Sequence, residues 1–453
     1  MTSSQSAGRV QSGAGMARHV TGQQVALVVI VVGVLSILAE YFGNLTFSVG
    51  ITKVTLFPFV FALLACVIVS VVMKGTDKTG VSYLRPQTLA SDFVQLGIMF
   101  FIAKLGFIVG ANIQKVIDNG IVLLLQEVGN FLGTMALAMP IALILGIKRE
   151  AIGATFSVGR EPGVALIAEK YGMGSAEGRG VLAEYVTGSV IGAVFIAFFA
   201  SMVSHSGLFS PAALGMAAGI GSGSMTAAAV GAISEQFPKD KDTIAALAAA
   251  SNLITTVIGT YILVVFSLPF SNWLYGKLEP ILGKNAKAIV VQQDEQMRKA
   301  MGEMHAEAKL PSWVVLACLV LTGIISLIGN QVATKVSMAD ALPGMLILLG
   351  CILVGMFVSR LAAKLKIPSI IWVSFVGLLI SLPGSPLAAT MNPLVNKVGL
   401  LPLVTPVLAY AGLSLAKDLP VLKALGWRII VVSLLANAGA FLAGAIIAQL
   451  CGA

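Results

Sequence analysis

The chain is poor in charge. Asp, Glu, Lys and Arg make up 11% of its 453 residues, against about 25% in an average soluble domain. With 57% hydrophobic residues and a mean hydropathy of +0.95, it could not cover a water-facing surface, so soluble domains are excluded. Cysteine is scarce as well. Cys66, Cys318, Cys351 and Cys451 show no metal or redox spacing and read as small hydrophobes. His19, His205 and His305 lie far apart, which excludes a zinc cluster. No G-x-x-x-x-G-K-[ST] loop is present, so nothing supports ATP-driven transport in one chain. No H-E-x-x-H occurs either, which argues against a membrane metalloenzyme. The net charge of +9 comes from Lys and Arg scattered in short loops without stacked aromatics. That pattern argues for membrane topology signals and against nucleic-acid binding.

Apolar runs of about 20 residues, enough to cross roughly 30 Å of hydrocarbon, predict an all-α, polytopic membrane protein. Thirteen spans are expected near 24–43, 54–73, 91–112, 120–146, 150–171, 178–204, 209–236, 242–270, 312–331, 342–364, 368–385, 398–416 and 424–450. The organisation read from this is a disordered tail at 1–20, an N-terminal transmembrane half at 21–206, and a Gly-rich broken helix with its following span at 207–270. A cytoplasmic loop at 271–311 and a C-terminal bundle at 312–453 complete it. With the N-terminus inside, nineteen Lys and Arg fall in inside segments and eight outside, Lys170 and Arg179 among the eight. That asymmetry predicts a multi-pass protein of the cell inner membrane, N-terminus cytoplasmic and C-terminus outside.

Internal repeats are visible. The run Ala151 to Gly159 resembles Ala213 to Gly221, and Ser189 to Gly192 resembles Thr256 to Gly259. The third and fourth spans, around Gly106 and Phe131, resemble the twelfth and thirteenth, around Gly412 and Phe441. Parity is the difficulty. In a thirteen-span path the fifth and seventh spans point the same way, which an inverted repeat forbids unless a broken element is re-entrant.

The chemistry concentrates at two predicted breaks. In the fifth span Gly159, Pro162 and Gly163 interrupt the helix, with Arg160 and Glu161 at the break and Ser157 just before it. Helix ends freed in this way bind anions, and a guanidinium matches a carboxylate. In the seventh span Gly221, Ser222, Gly223, Ser224 and Thr226 form a second break. Its carbonyls and hydroxyls suit Na⁺ or a polar substrate, with Na⁺ placed near Ser222, Ser224 and Asn252. Polar residues deep in other spans are costly and serve cavities or partners. Glu184 is the candidate proton carrier or cation ligand, Ser251 and Asn252 are candidate coupling residues, and Lys104 with Glu127 reads as a structural pair or as part of the coupling path. Pro402 and Pro406 suggest a hinge. No resident cofactor is expected beyond Na⁺.

Through Val158 to Gly163, Gly219 to Ser224 and the two related helix pairs, the sequence resembles an uncharacterised family of bacterial integral membrane proteins. More loosely, it resembles the ion-coupled carboxylate transporters of the sodium/glutamate symporter kind. That resemblance implies a homodimer with a scaffold and a moving transport unit. The expected function is a Na⁺- or H⁺-coupled secondary transporter of a small organic anion or amino-acid-like solute, working by alternating access in the elevator manner. A channel and a membrane-embedded enzyme are the alternatives. The expected partners are the substrate, the lipid bilayer and a second copy of the chain, and no nucleic acid.

Overall fold

A computed structural model describes residues 20–49, 52–76, 84–157, 161–172, 175–219, 221–283, 310–365 and 368–453. Among the described residues the regular structure is helical apart from one antiparallel hairpin, β1 (Leu45–Val49) with β2 (Thr52–Leu56), in which Leu45 pairs with Leu56 and Val49 with Thr52. It follows α1 (Gly22–Phe42) and precedes α2 (Pro58–Thr76) and α3 (Leu84–Ala111). Short α4 (Ile113–Asp118) leads into α5 (Gly120–Ile144). After α5 the helices become short: α6 (Glu150–Thr155), α7 (Glu161–Lys170), α8 (Ala176–Thr187), α9 (Ala193–His205), α10 (Pro211–Ala218), α11 (Gly223–Gln236), α12 (Lys241–Val257), α13 (Gly259–Ile262) and α14 (Leu268–Leu278). Wider π-helical turns join α8 to α9 at Gly188–Gly192 and α13 to α14 at Leu263–Ser267. A third, Glu279–Gly283, carries the last helix of this series beyond residue 270, where the sequence places the start of a loop. Residues 284–309 of that expected loop lie outside the described residues.

Long helices return in α15 (Ser312–Thr334) and α16 (Met338–Leu361), followed by α17 (Ser369–Ser381), α18 (Ala388–Asn396) and α19 (Leu401–Leu450). α19 is bent at Gly426, where φ 75° and ψ 154° interrupt the helix. Among the described residues seven helices are long and apolar enough to cross a membrane, or eight if α18 and the 401–415 arm of α19, bent by 59°, count as one broken span. The chain is therefore a multi-pass helical membrane protein.

Two packing groups share a continuous apolar core. The first joins α1, α2 and α3 to α15–α18 and the first arm of α19. The second wraps α5–α14 around the second arm, Gly426–Leu450. α5 and that arm run antiparallel and touch backbone to backbone. A Cβ on Gly133 would lie 2.1 Å from Gly439 O, and one on Gly439 would lie 2.2 Å from Gly133 O. The approach is possible because neither residue carries a side chain. In hydrocarbon, where apolar contact offers little drive, close approach at small residues is what holds helices together.

The second arm also fixes direction. At its start Arg428 donates to Leu145 O (3.2 Å), beside the entry to α6. Near its finish Gln449 Oε1 accepts from Ser210 N (2.7 Å), at the entry to α10. Those points are separated by 21 helical residues, about 30 Å at 1.5 Å per residue. α6 and α10 therefore enter from opposite ends of the bundle, called here the lower and upper ends.

Each then turns back. α6 and α8 run side by side from the lower end: Arg149, just before α6, binds Glu177, and Glu150 binds Arg179 at 2.8 Å. The Glu177 hydrogen bond, ahead of the charge itself, holds the Arg149 guanidinium above its ordinary pKa. Because α8 begins at the lower end, α7 must have come back there; Tyr171, at its close, bonds Asn272 of α14. α10 and α12 likewise run together from the upper end, where a Cβ on Gly215 would lie 2.9 Å from Ile244 Cα and Lys115 donates to Thr243 (2.7 Å). α6–α7 and α10–α11 are thus two helical hairpins entering from opposite ends. The segments 150–171 and 209–236, expected to be spans, each fold back on themselves. This removes the parity conflict, for the two broken elements are inverted.

Candidate functional site

The breaks fall where the hairpins turn. The first tip lies between Thr155 and Glu161; Val158, Gly159 and the expected anchor Arg160 are outside the described residues. Phe156 is fully buried against Phe131 and Met135 of α5, and its carbonyl accepts from Ser267 in the second π-turn. Ser157, also buried, has a hydroxyl with no partner among the described residues. α7 begins at Glu161, so the free N–H groups of a ten-residue helix face this tip.

The second tip is held from α12. Asn252 Nδ2 lies 3.0 Å from Gly219 O, 3.3 Å from Gly221 O and 2.8 Å from Thr226 Oγ1. Ser222 caps α11 by accepting from Met225 N (3.4 Å), and its hydroxyl lies 3.0 Å from that of Ser224. Gly221, at φ 87°, makes the turn in a conformation that glycine alone takes without strain. The flank of Gly223 faces Ile98 and Ile102 of α3 at 3.4 and 3.6 Å, so this tip touches the first packing group.

The first tip, and α12 which holds the second, meet α5 at neighbouring levels. Gln126 donates to Ser251 Oγ (2.9 Å), and Glu127 accepts from Thr255 beside it. Phe131, against the first tip, follows Glu127 by one turn, about 6 Å. α5, α8 and the second arm of α19 also bury polar side chains that the sequence analysis does not name: Gln126, Asn130, Thr187 and Asn437, all at 1% exposure or less. Both polar atoms of Asn130, Asn437 Oδ1, Gln126 Oε1 and Thr187 Oγ1 have no partner among the described residues. A buried polar atom left unpaired costs about 1–3 kcal/mol. Five such atoms, with Ser157, are what a polar ligand or ordered water satisfies. The signal was present in the sequence as uncharged amides and hydroxyls inside apolar spans. Glu184, on the first hairpin's supporting helix, is fully buried as well.

Lys104 does not join Glu127. It donates to Val395 O (2.7 Å) and Asn396 Oδ1 (3.4 Å), capping α18 in the first packing group. Asn330 bonds Lys397 O and Gly399 N. The bend between α18 and α19, just ahead of Pro402, is therefore a clamped structural break with its polar groups satisfied. Three of the four cysteines are buried and all are free. Among the described residues no group of His, Cys, Asp and Glu could hold a metal ion.

A multi-pass membrane protein with two opposed helical hairpins around buried polar groups is the class these features define. The family described as proteins of unknown function, DUF3100, matches residues 37–277. That is more than half of the chain, and the chain belongs to that family. The matched region runs from the end of α1 through α14 and contains both hairpins. No curated protein and no solved structure matches the chain.

Proposed function

We propose that the chain is a cation-coupled secondary transporter of a small organic anion or amino-acid-like solute, working by alternating access. The observation that carries this reading is the pair of inverted hairpins, the first against α5 and the second held by α12, which bonds α5 one turn away beside unpaired buried polar atoms. Broken backbone is tolerated at membrane depth where it lines a cavity, and half-helix ends there hold ions and anionic substrates. The anion would sit at the N-terminal ends of α7 and α11, with Arg160 as anchor and Ser157, Asn130 and Thr187 as hydrogen-bonding partners. Carbonyls of the second tip would take the cation, and Glu184 or Glu127 would carry a proton if H⁺ drives the cycle. Contacts between the two packing groups at Gly223 and Gly231 are apolar, which suits sliding of the hairpin-bearing group in the elevator manner.

The membrane path in this reading has eleven crossings and two re-entrant hairpins, with the N-terminus in the cytoplasm and the C-terminus outside. Return of α7 to the lower end transfers Lys170 and Arg179 to the face that holds most cations. The sequence tally then becomes twenty-one Lys and Arg inside against six outside, a stronger asymmetry than the thirteen-span path gives.

Uptake into proteoliposomes tests the proposal. Saturable accumulation of a candidate carboxylate or amino acid is expected under an imposed Na⁺ or proton gradient, with a large loss in Arg160→Ala. Non-saturating flux at channel rates would refute the carrier, and full activity in Arg160→Ala would refute the anchor.

A further inference from the structure

Asn252 stands in an unusual position. Its amide nitrogen carries two hydrogens and cannot accept, yet three oxygens surround it, those of Gly219, Gly221 and Thr226, at 3.0, 3.3 and 2.8 Å. The three acceptors also settle which amide atom points inward, since an oxygen there would face only other oxygens. Gly219 closes α10, so its carbonyl belongs to the partly negative end of that helix. Thr226 is fully buried, and its hydroxyl has nowhere wetter to turn. Three neutral oxygens thus converge on one point, at a helix C-terminal end inside a membrane protein, and oxygens so arranged could also face a cation.

We propose that this nest is a monovalent cation site and that Asn252 is its resident substitute. In the loaded form the amide turns and draws back to offer Oδ1, and Na⁺ lies between Oδ1 and the three oxygens Gly219 O, Gly221 O and Thr226 Oγ1. The absence of a carboxylate in the set suits a single charge; Ca²⁺ sites draw on Asp and Glu. Ser222 and Ser224, expected from sequence to be ligands, are not among the oxygens around Asn252 Nδ2; they cap α11 and bond each other. The exchange has a consequence for coupling. With the amide inward, the tip carbonyls stay satisfied without an ion, so the second hairpin can close over an unloaded site. This inference rests on the cation-coupled reading above.

The test is thermal melting of the purified full-length protein in detergent, in NaCl and in choline chloride of equal ionic strength. Na⁺ is expected to raise the melting temperature of the wild type, as ligands of the folded state do. Thr226→Val should abolish that shift while melting near the wild type in choline. Asn252→Asp should enlarge it, because a carboxylate keeps the ligand oxygen but cannot donate to the two carbonyls in the unloaded form. A full Na⁺ shift retained in both Thr226→Val and Asn252→Ala would place the ion elsewhere and overturn the assignment, leaving sodium coupling intact. No Na⁺ shift in the wild type, with Asn252→Ala melting lower in both salts, would make Asn252 a structural staple and overturn the inference. Proton-driven uptake in proteoliposomes would then still support the transporter.

Discussion

Replacing Gly133 with Ala adds one methyl group where α5 and the second arm of α19 touch backbone to backbone. The new Cβ would lie 2.1 Å from Gly439 O and 2.6 Å from Ala443 Cβ. Carbon and oxygen approach no closer than about 3.3 Å without strain, so α5 and the second arm of α19 must part by roughly 1 Å. Overpacking of this kind costs about 1–3 kcal/mol, and the upper end applies because backbone blocks the methyl group. Ala returns at most about 1 kcal/mol through helix propensity, leaving a net loss of about 2 kcal/mol. Gly350 in α16 is the control, since nothing lies within 4 Å of its added Cβ; Gly350→Ala should be neutral or mildly stabilising. Gly439→Ala should cost what Gly133→Ala costs. The double variant should lose less than the sum, because one separation of the helices relieves both clashes. Unfolding of the purified protein in mixed micelles by titrated SDS reads these differences. Equal stability of Gly133→Ala and Gly350→Ala would refute the packing described here.

Arg179→Ala removes the partner of Glu150, whose side chain is only 6% exposed. Leaving one charge of a buried pair behind costs about 3–5 kcal/mol, so a marked fall in melting temperature is expected, with less loss in the double variant Glu150→Gln/Arg179→Gln. Lys104→Met strips Val395 O of its buried donor and should cost about 1–3 kcal/mol in the same melting assay, with Na⁺ dependence unchanged because Lys104 lies in the other packing group. The four tryptophans all stand toward the lower end. Trp313 and Trp372 open helices there, Trp273 lies close to the finish of α14, and Trp427 adjoins the bend, with the Arg428 guanidinium 5.7 Å from its ring. Interfacial tryptophan sits at headgroup level. In vesicles of brominated phospholipids, bromines near the headgroup should therefore quench their fluorescence more than bromines deep in the chains.

Apolar composition made the helical membrane class legible, and the glycines and proline around Arg160 and Ser222 made the two breaks legible. Re-entrance was not legible from hydropathy. Two short apolar helices that meet at a tip hold as many apolar residues as one crossing, so a window over 150–171 or 209–236 cannot tell them apart. What betrayed it was indirect: Ala151 to Gly159 matched Ala213 to Gly221 in a path whose parity forbade an inverted pair. The partners of Lys104 and Glu127 were out of reach, since each pairs with an element set by tertiary packing. Asn130 and Asn437 were overlooked because charge was weighed above uncharged amides, although the latter are also costly to bury. The hairpin at 45–56 and the three π-turns have no periodic signature against so apolar a background.

The central claim is that α6–α7 and α10–α11 enter from opposite ends and return, and side-specific labelling tests it most directly. With Cys451, the exposed native cysteine, replaced by Ser, single cysteines would be placed at exposed Lys170, Leu208, Lys364 and Asp118. A membrane-impermeant maleimide would then be applied from each side of sealed vesicles. Inverted hairpins predict that Lys170→Cys labels from the same side as Lys364→Cys, and Leu208→Cys from the same side as Asp118→Cys. The reverse pairing, Lys170→Cys with Asp118→Cys and Leu208→Cys with Lys364→Cys, would mean thirteen full crossings and would contradict the account.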